Sequence, residues 1–184
     1  MRIIAGSLKG RRLASFEGDD IRPTSDRTRE AIFNLLMHGQ FAGENIIGQR
    51  VVDLCCGTGA LGLEAISRGA SSCHFIDISK ESLALAKENA LHCNVTNQSH
   101  FLQADITKLP ITTAPVALAL FDAPYAKNLL PDAYASLQRN GWLAPDALLV
   151  AELPRDAKPP ELPGAELLVS RQYGKPVIHI WRIA

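Results

Sequence analysis

The chain has 184 residues, 47% of them apolar, with Lys plus Arg and Asp plus Glu balanced at 19 each. That length suits one domain with a substantial core, and no apolar run reaches the roughly 18 residues of a membrane span. The N-terminus lacks the apolar stretch of a signal peptide, and Cys55, Cys56, Cys73 and Cys93 show no C-x-x-C spacing, which argues against secretion, a disulfide framework and a zinc site and favours the cytoplasm.

Residues 1–14 read as a short β-hairpin, with a turn at Gly6-Ser7 and Gly10 ahead of Arg11-Arg12-Leu13. Arg2, Lys9, Arg11 and Arg12 fall within twelve residues that hold no acid, and Arg22, Arg27 and Arg29 follow. This is a basic patch suited to phosphates, although a solvated hairpin surface is the plainer reading. Residues 15–23 form a polar loop ending at Pro23. Thr24 or Ser25 then offers an N-cap oxygen, and Ala31, Ile32, Leu35 and Leu36 recur at helical spacing up to His38-Gly39. Residues 1–45 are therefore expected as a hairpin-and-helix extension, and residues 46–184 as the main domain.

From residue 50 strand and helix alternate. Residues 51–55 are nearly all apolar, as in a parallel strand buried on both faces. Helix is expected at 61–67, strand at 73–76, and a long helix capped by Ser79 through about 92. Strands at 100–103 and 116–121, a helix at 129–139 and a strand at 147–152 follow. Pro154, Pro159, Pro160 and Pro163 break regular structure over 153–164. Residues 166–171 and 176–182 close the chain as a hairpin around Tyr173-Gly174. The alternation predicts an α/β doubly wound sheet of about seven strands, mostly parallel, with an antiparallel last hairpin.

The turn after the first strand, Gly57-Thr58-Gly59-Ala60-Leu61-Gly62, matches G-x-G-x-x-G, and Asp77 ends the second strand twenty residues on. Taken alone this fits a nicotinamide dehydrogenase. Asp53, inside the first strand, would repel a pyrophosphate, whereas it favours the ammonium and sulfonium of S-adenosylmethionine. Asp77 suits ribose hydroxyls, with Ile78 beside it. Asp105, at the tip of the third strand, suits the adenine amino group, with Ile106 packing on the ring. The competing reading is that these aspartates merely cap turns and helices. Cys55 and Cys56 read as small fillers beneath the turn.

Catalysis is expected at Asp122-Ala123-Pro124-Tyr125. An exocyclic amino nitrogen is a poor nucleophile because its lone pair is delocalised into the ring. Two acceptors on its N–H bonds free that lone pair. The Asp122 carboxylate supplies one and the Ala123 carbonyl the other, its direction preset by Pro124. Tyr125 offers a ring for the base to stack on. No metal ligands are evident, and the five histidines show no ligand-like spacing.

These motifs resemble the RsmD family, bacterial methyltransferases acting on N2 of a guanine in 16S ribosomal RNA. The likeness lies in Met1 to Gly6 with Lys9-Gly10-Arg11, in Arg22-Pro23-Thr24-Ser25-Asp26-Arg27-Thr28-Arg29-Glu30, in Gly57 to Ala65 with Ser67-Arg68-Gly69-Ala70, and in Arg171-Tyr173-Gly174. The resemblance implies a Rossmann-like methyltransferase fold and S-adenosylmethionine held by Asp53, Gly57, Gly59, Asp77 and Asp105. It also implies that residues 24–29, Thr24 among them, lie over the cofactor's methionine end and near the RNA. The implied substrate is a partly assembled small ribosomal subunit. The sequence departs from the family pattern at Ala123, where a second proline is usual, at Asp77 and at Cys55-Cys56. An adenine-N6 methyltransferase and a non-catalytic cofactor- or RNA-binding module are the competing readings.

Overall fold

Apolar runs bounded by Gly, Asp and Asn set the element boundaries. The computed structural model describes residues 1–16, 25–123 and 129–184. In chain order it contains α1 (Asp26–Met37), β1 (Arg50–Leu54), α2 (Ala60–Ser67), β2 (Ser72–Asp77), α3 (Lys80–His92), β3 (Ser99–Gln103), β4 (Val116–Phe121), α4 (Leu130–Arg139), β5 (Leu143–Pro154), β6 (Ala165–Gln172) and β7 (Pro176–Ile183). The strands form one sheet in the order β3-β2-β1-β4-β5-β7-β6. β1 to β5 pair in parallel, and β7 enters antiparallel between β5 and β6. The order of build-up reverses at β1, between β2 and β4. The crevice beyond these strand ends is the topological switch point where open α/β sheets bind ligands.

Side chains alternate across the sheet. Val51, Leu118, Leu120, Leu148, Val150 and Ile178 face the layer of α1, α2 and α3. Val52, Leu54, Ala119, Phe121, Leu149 and Ala151 face α4. Polar caps fix two helix starts: the Ser25 hydroxyl accepts from the Thr28 amide at 3.1 Å, and the Ser79 hydroxyl from the Ser82 amide at 3.1 Å.

β5 differs from the sequence reading at both ends. β5 starts at Leu143, because Asp146 takes φ 58° and the register with β4 jumps from Val116–Leu143 to Leu118–Leu148. That bulge absorbs Pro145 within a longer strand. β5 also runs on to Pro154, which pairs with Pro176 at the last rung, where a missing N–H costs least. The expected N-terminal hairpin is present: Arg2 bridges Arg12 in antiparallel, the Ile3 amide donates to the Arg11 carbonyl at 2.9 Å, the Gly10 amide to the Ile3 carbonyl at 2.9 Å and the Leu13 amide to the Met1 carbonyl at 3.1 Å.

The turn side of this hairpin docks on α2. Buried Glu64 of α2 takes the amides of Ile4 at 2.8 Å and Ala5 at 3.1 Å. Ser67 takes the next pair: its carbonyl accepts from the Ser7 amide at 2.8 Å and its hydroxyl from the Leu8 amide at 3.0 Å. The segment lies flat on α2 only because residue 6 is Gly, at φ 84°, where a Cβ would stand 1.9 Å from the Ser67 carbonyl oxygen. Ile3, Leu8 and Leu13 thereby share one core with α1, α2 and the sheet. Glu64 also pairs with Arg68 at 2.7 Å, and the Arg68 guanidinium lies 5.0 Å over the Phe33 ring of α1.

Glu64→Ala leaves two amides and a buried guanidinium without their acceptor. The expected loss is about 3–5 kcal/mol in urea unfolding. A loss below about 1 kcal/mol would mean that water replaces the carboxylate.

Candidate active site at the strand tips

β1 ends at Leu54, and Cys55 turns the chain at φ 57°. The glycine turn closes through the Gly59 amide, which donates to the Cys56 carbonyl at 2.7 Å. Two acids hold it. Asp53, inside β1 and 1% exposed, accepts from the Gly62 amide at 2.8 Å. Asp77, ending β2, accepts from the Gly57 amide at 3.0 Å through one oxygen and from the Ser79 amide at 2.9 Å through the other. Gly62 lets α2 press onto β2, since a Cβ there would meet the Phe75 ring at 2.4 Å. At Gly57 the added Cβ would find only the Cys55 carbonyl oxygen, 4.0 Å away, so space above the turn is open.

A third support came from no motif. Asn89 of α3, 1% exposed, donates to the Thr58 carbonyl at 2.9 Å and to the Ala14 carbonyl at 3.1 Å, and accepts from the Ala14 amide at 2.8 Å. Its sequence signal was an amide in the buried stripe of Leu83, Ala86 and Ala90. It ties the N-terminal segment to the glycine turn.

The other tips complete the crevice. Asp105 follows β3 and accepts from the Thr107 amide at 2.9 Å and hydroxyl at 2.7 Å, capping the short turn Ile106–Lys108. Ile78 is 69% exposed beside Asp77 and presents an apolar surface, whereas Ile106 is 4% exposed and already packed into the core. Asp122 directly follows β4 and is half-buried, and Ala123 is buried. Phe121 pairs with Ala151, so the next residues, Asp122 and Glu152, stand side by side at neighbouring tips. Glu152 was not singled out in the sequence, because its place beside Asp122 exists only once β4 and β5 pair. Thr24, Arg22, Pro124 and Tyr125 lie outside the described residues.

The electrostatics follow from this crowding. Burial pushes the Asp53 carboxyl well above the usual range; the Gly62 hydrogen bond opposes this, and the charges of Asp122 and Asp77 add to it. Burial and the Glu152 charge push Asp122 up to about 7. The Cys55 thiol is pushed up to about 12, by burial and then by Asp77, Asp53, Asp122 and Asp105. One thiol thus feels all four tip carboxylates. Such a field favours a cation, and an apolar ring beside Ile78 with a sulfonium and an ammonium nearer Asp53 fits the donor set. A pyrophosphate does not.

The basic residues separate into three groups. Lys9 and Arg27 line one groove with Arg2, and Arg12 is exposed nearby in the chain. Arg11 donates to the His92 carbonyl at 2.9 Å, at the end of α3. Arg29, expected among the RNA contacts, is instead fully buried: its guanidinium donates to the Arg2 carbonyl at 2.7 Å and to the Asp26 carboxylate at 2.7 Å. It braces α1 against the N-terminal segment, and enclosure removes it from the surface an RNA touches.

The family described as Conserved hypothetical protein 95 matches residues 1–182. The chain belongs to that family. It is 34% identical to the ribosomal RNA small subunit methyltransferase D of Haemophilus influenzae, over 85% of this chain and 80% of that one. It is 31% identical to YlbH of Bacillus subtilis, over 99% and 98%. The solved structure of yhhF from Escherichia coli covers all of this chain and 97% of its own, with a TM-score of 0.83 and 27% identity. Family and fold make the chain a methyltransferase of the RsmD type that its motifs resemble.

The raised Asp122 value has a consequence for stability. A folded state that holds this proton more tightly gains stability at low pH, and that gain is lost as pH rises from the ordinary 3.8 to about 7. Asp122→Asn removes the titrating group, so the variant's unfolding free energy falls less than the parent's across that window. Parallel curves in urea unfolding at stepped pH would contradict the burial-driven shift.

Proposed function

We propose that this chain transfers a methyl group from S-adenosylmethionine to the exocyclic N2 of a guanine in 16S ribosomal RNA, within a partly assembled small subunit in the cytoplasm. The observation that carries the reading is Asp122, half-buried at the tip of β4 and electrostatically joined to the acid-lined glycine turn of the neighbouring β1. Asp53, Gly57, Gly59 and Asp77 would hold the cofactor with Asp105 and Ile78. When bound, that cofactor supplies a methyl group on a positively charged sulfur.

The chain's own residues then do three things. Asp122 accepts one N–H of the amino group and the Ala123 carbonyl the other, which frees the nitrogen lone pair and places it in line. The same acceptors stabilise the positive charge that develops on nitrogen. Asp122 finally takes the released proton on its way to water. Only ionised Asp122 serves as this acceptor, so the rate rises with pH through about 7, the value to which burial and Glu152 push it.

The decisive assay supplies small-subunit particles from cells lacking the protein with tritiated methyl donor and then analyses the nucleosides. N2-methylguanosine is the expected product, and N6-methyladenosine would overturn the substrate assignment. Asp122→Ala should remove transfer while donor affinity stays within a few fold; full activity in that variant would defeat the mechanism. Glu152→Gln should move the pH-rate rise to lower pH, and an unmoved rise would show that the pair is not coupled. Ala123→Pro should keep or raise turnover.

A further inference from the structure

We propose that the groove between α1 and the edge strand β6 carries the single-stranded RNA that flanks the target base. This rests on the methyltransferase reading above and adds the path of the substrate. β6 ends the sheet order, so among the described residues one of its backbone edges has no neighbouring strand. Between it and α1 runs a groove of about 890 Å³, lined by Arg27 and Asn34 of α1, by His38 just past its end, and from the β6 side by Ser170, Arg171 and Tyr173. Arg27 and Glu30 are shared with a second groove of about 370 Å³, which adds Arg2, Lys9 and Asp26.

The charge of this trench suits a polyanion. Its four cations, Arg2, Lys9, Arg27 and Arg171, face two acids, Asp26 and Glu30. Asp26 is matched by the buried Arg29 at 2.7 Å and by Arg2 at 3.7 Å, which leaves Lys9, Arg27 and Arg171 against Glu30. Backbone contacts by Arg and Lys supply the sequence-independent part of RNA affinity. The floor suits bases: Leu35, Val169 and Tyr173 are partly buried and pack against the core. An apolar floor with an aromatic ring, rimmed by arginines, is the arrangement that single strands use for stacking.

The register of the sheet places this trench beside the reacting site. Asp122 stands next to Glu152, Glu152 pairs with Ile178, and Ile178 pairs with Arg171. Arg171 therefore lies in the same row as the catalytic carboxylate, three strand steps away. At about 4.8 Å per step that is roughly 14 Å, which a few extended nucleotides bridge. Ile178 lies on the sheet face that α1 covers, and Arg171, paired with it, opens onto that face. A strand whose base enters at Asp122 leaves over Arg171 and Tyr173 toward Arg27.

The test compares the double variant Arg27→Glu with Arg171→Glu against Arg139→Glu, an exposed change in the last turn of α4 on the opposite face. Methyl transfer to small-subunit particles is followed as a function of salt, and 4-thiouridine crosslinks are mapped to peptides. The trench variant should raise KM by at least about tenfold and lessen the log–log salt slope by about 0.7 for each arginine lost. Its kcat, its affinity for S-adenosylhomocysteine and its thermal midpoint should stay near the parent's, and Arg139→Glu should match the parent. Tyr173→Leu keeps apolar packing but loses the flat ring, and should cost about fivefold or more in KM. Crosslinks should fall in α1 and β6. Unchanged KM and slope with an active parent would overturn the path while the methyltransferase reading stands. A raised KM with an unchanged slope, and crosslinks to ribosomal protein in place of RNA, would overturn the RNA assignment. An inactive parent would defeat the underlying function instead.

Discussion

Parallel pairing makes neighbouring strands end at one level, and here that constraint brings four carboxylates to one edge of the sheet. Asp53 lies near the end of β1, Asp77 ends β2, Asp105 follows β3 and Asp122 follows β4. Like charges so close and so shielded from water repel. The repulsion is partly offset because the surrounding backbone donates to them: Gly62 to Asp53, Gly57 and Ser79 to Asp77, Thr107 to Asp105. What remains is a negative crevice at the switch point, whose charges add to burial in raising the Cys55 thiol. A positively charged cofactor would relieve that field, so under the proposed function the same acids would serve both the turn and the ligand.

The two readings of the aspartates, turn-capping and cofactor-holding, therefore do not exclude each other. A carboxylate oxygen has more than one lone pair, so an Asp77 that closes the glycine turn can still accept from a ligand hydroxyl. The hydrogen bonds also preset the direction of each carboxylate, which reduces the ordering that binding must otherwise impose. Asn89 extends the same logic to the N-terminal segment. Because it grips Thr58 and Ala14 together, the cofactor turn and the segment bearing Lys9 and Arg12 are held by one side chain.

Much of this was legible in the residues. Buried parallel strands read as unbroken apolar runs, so β4 appeared at its observed limits, and Ser79 marked the start of α3. The glycine turn and the acids that hold it follow from short-range chemistry, so both are visible in the sequence. The misses share a cause, dependence on a partner distant in the chain. The docking of the N-terminal hairpin on α2 depends on Glu64, sixty residues on. Arg29 looked like a surface cation until α1 and the N-terminal segment closed over it. Glu152 gained meaning only from the β4–β5 register, and the β5 bulge only from Asp146 adopting a positive φ.

The central claim is that the carboxylate after β4 and the main-chain oxygen beside it receive an amino group presented to the cofactor's sulfur. A crystal structure of the full chain with S-adenosylhomocysteine tests it most directly. The account predicts the Asp122 carboxyl and the Ala123 carbonyl facing that sulfur across a cavity that admits a flat purine. A carboxyl rotated into the core, or a cavity filled by the chain's own side chains, would contradict it.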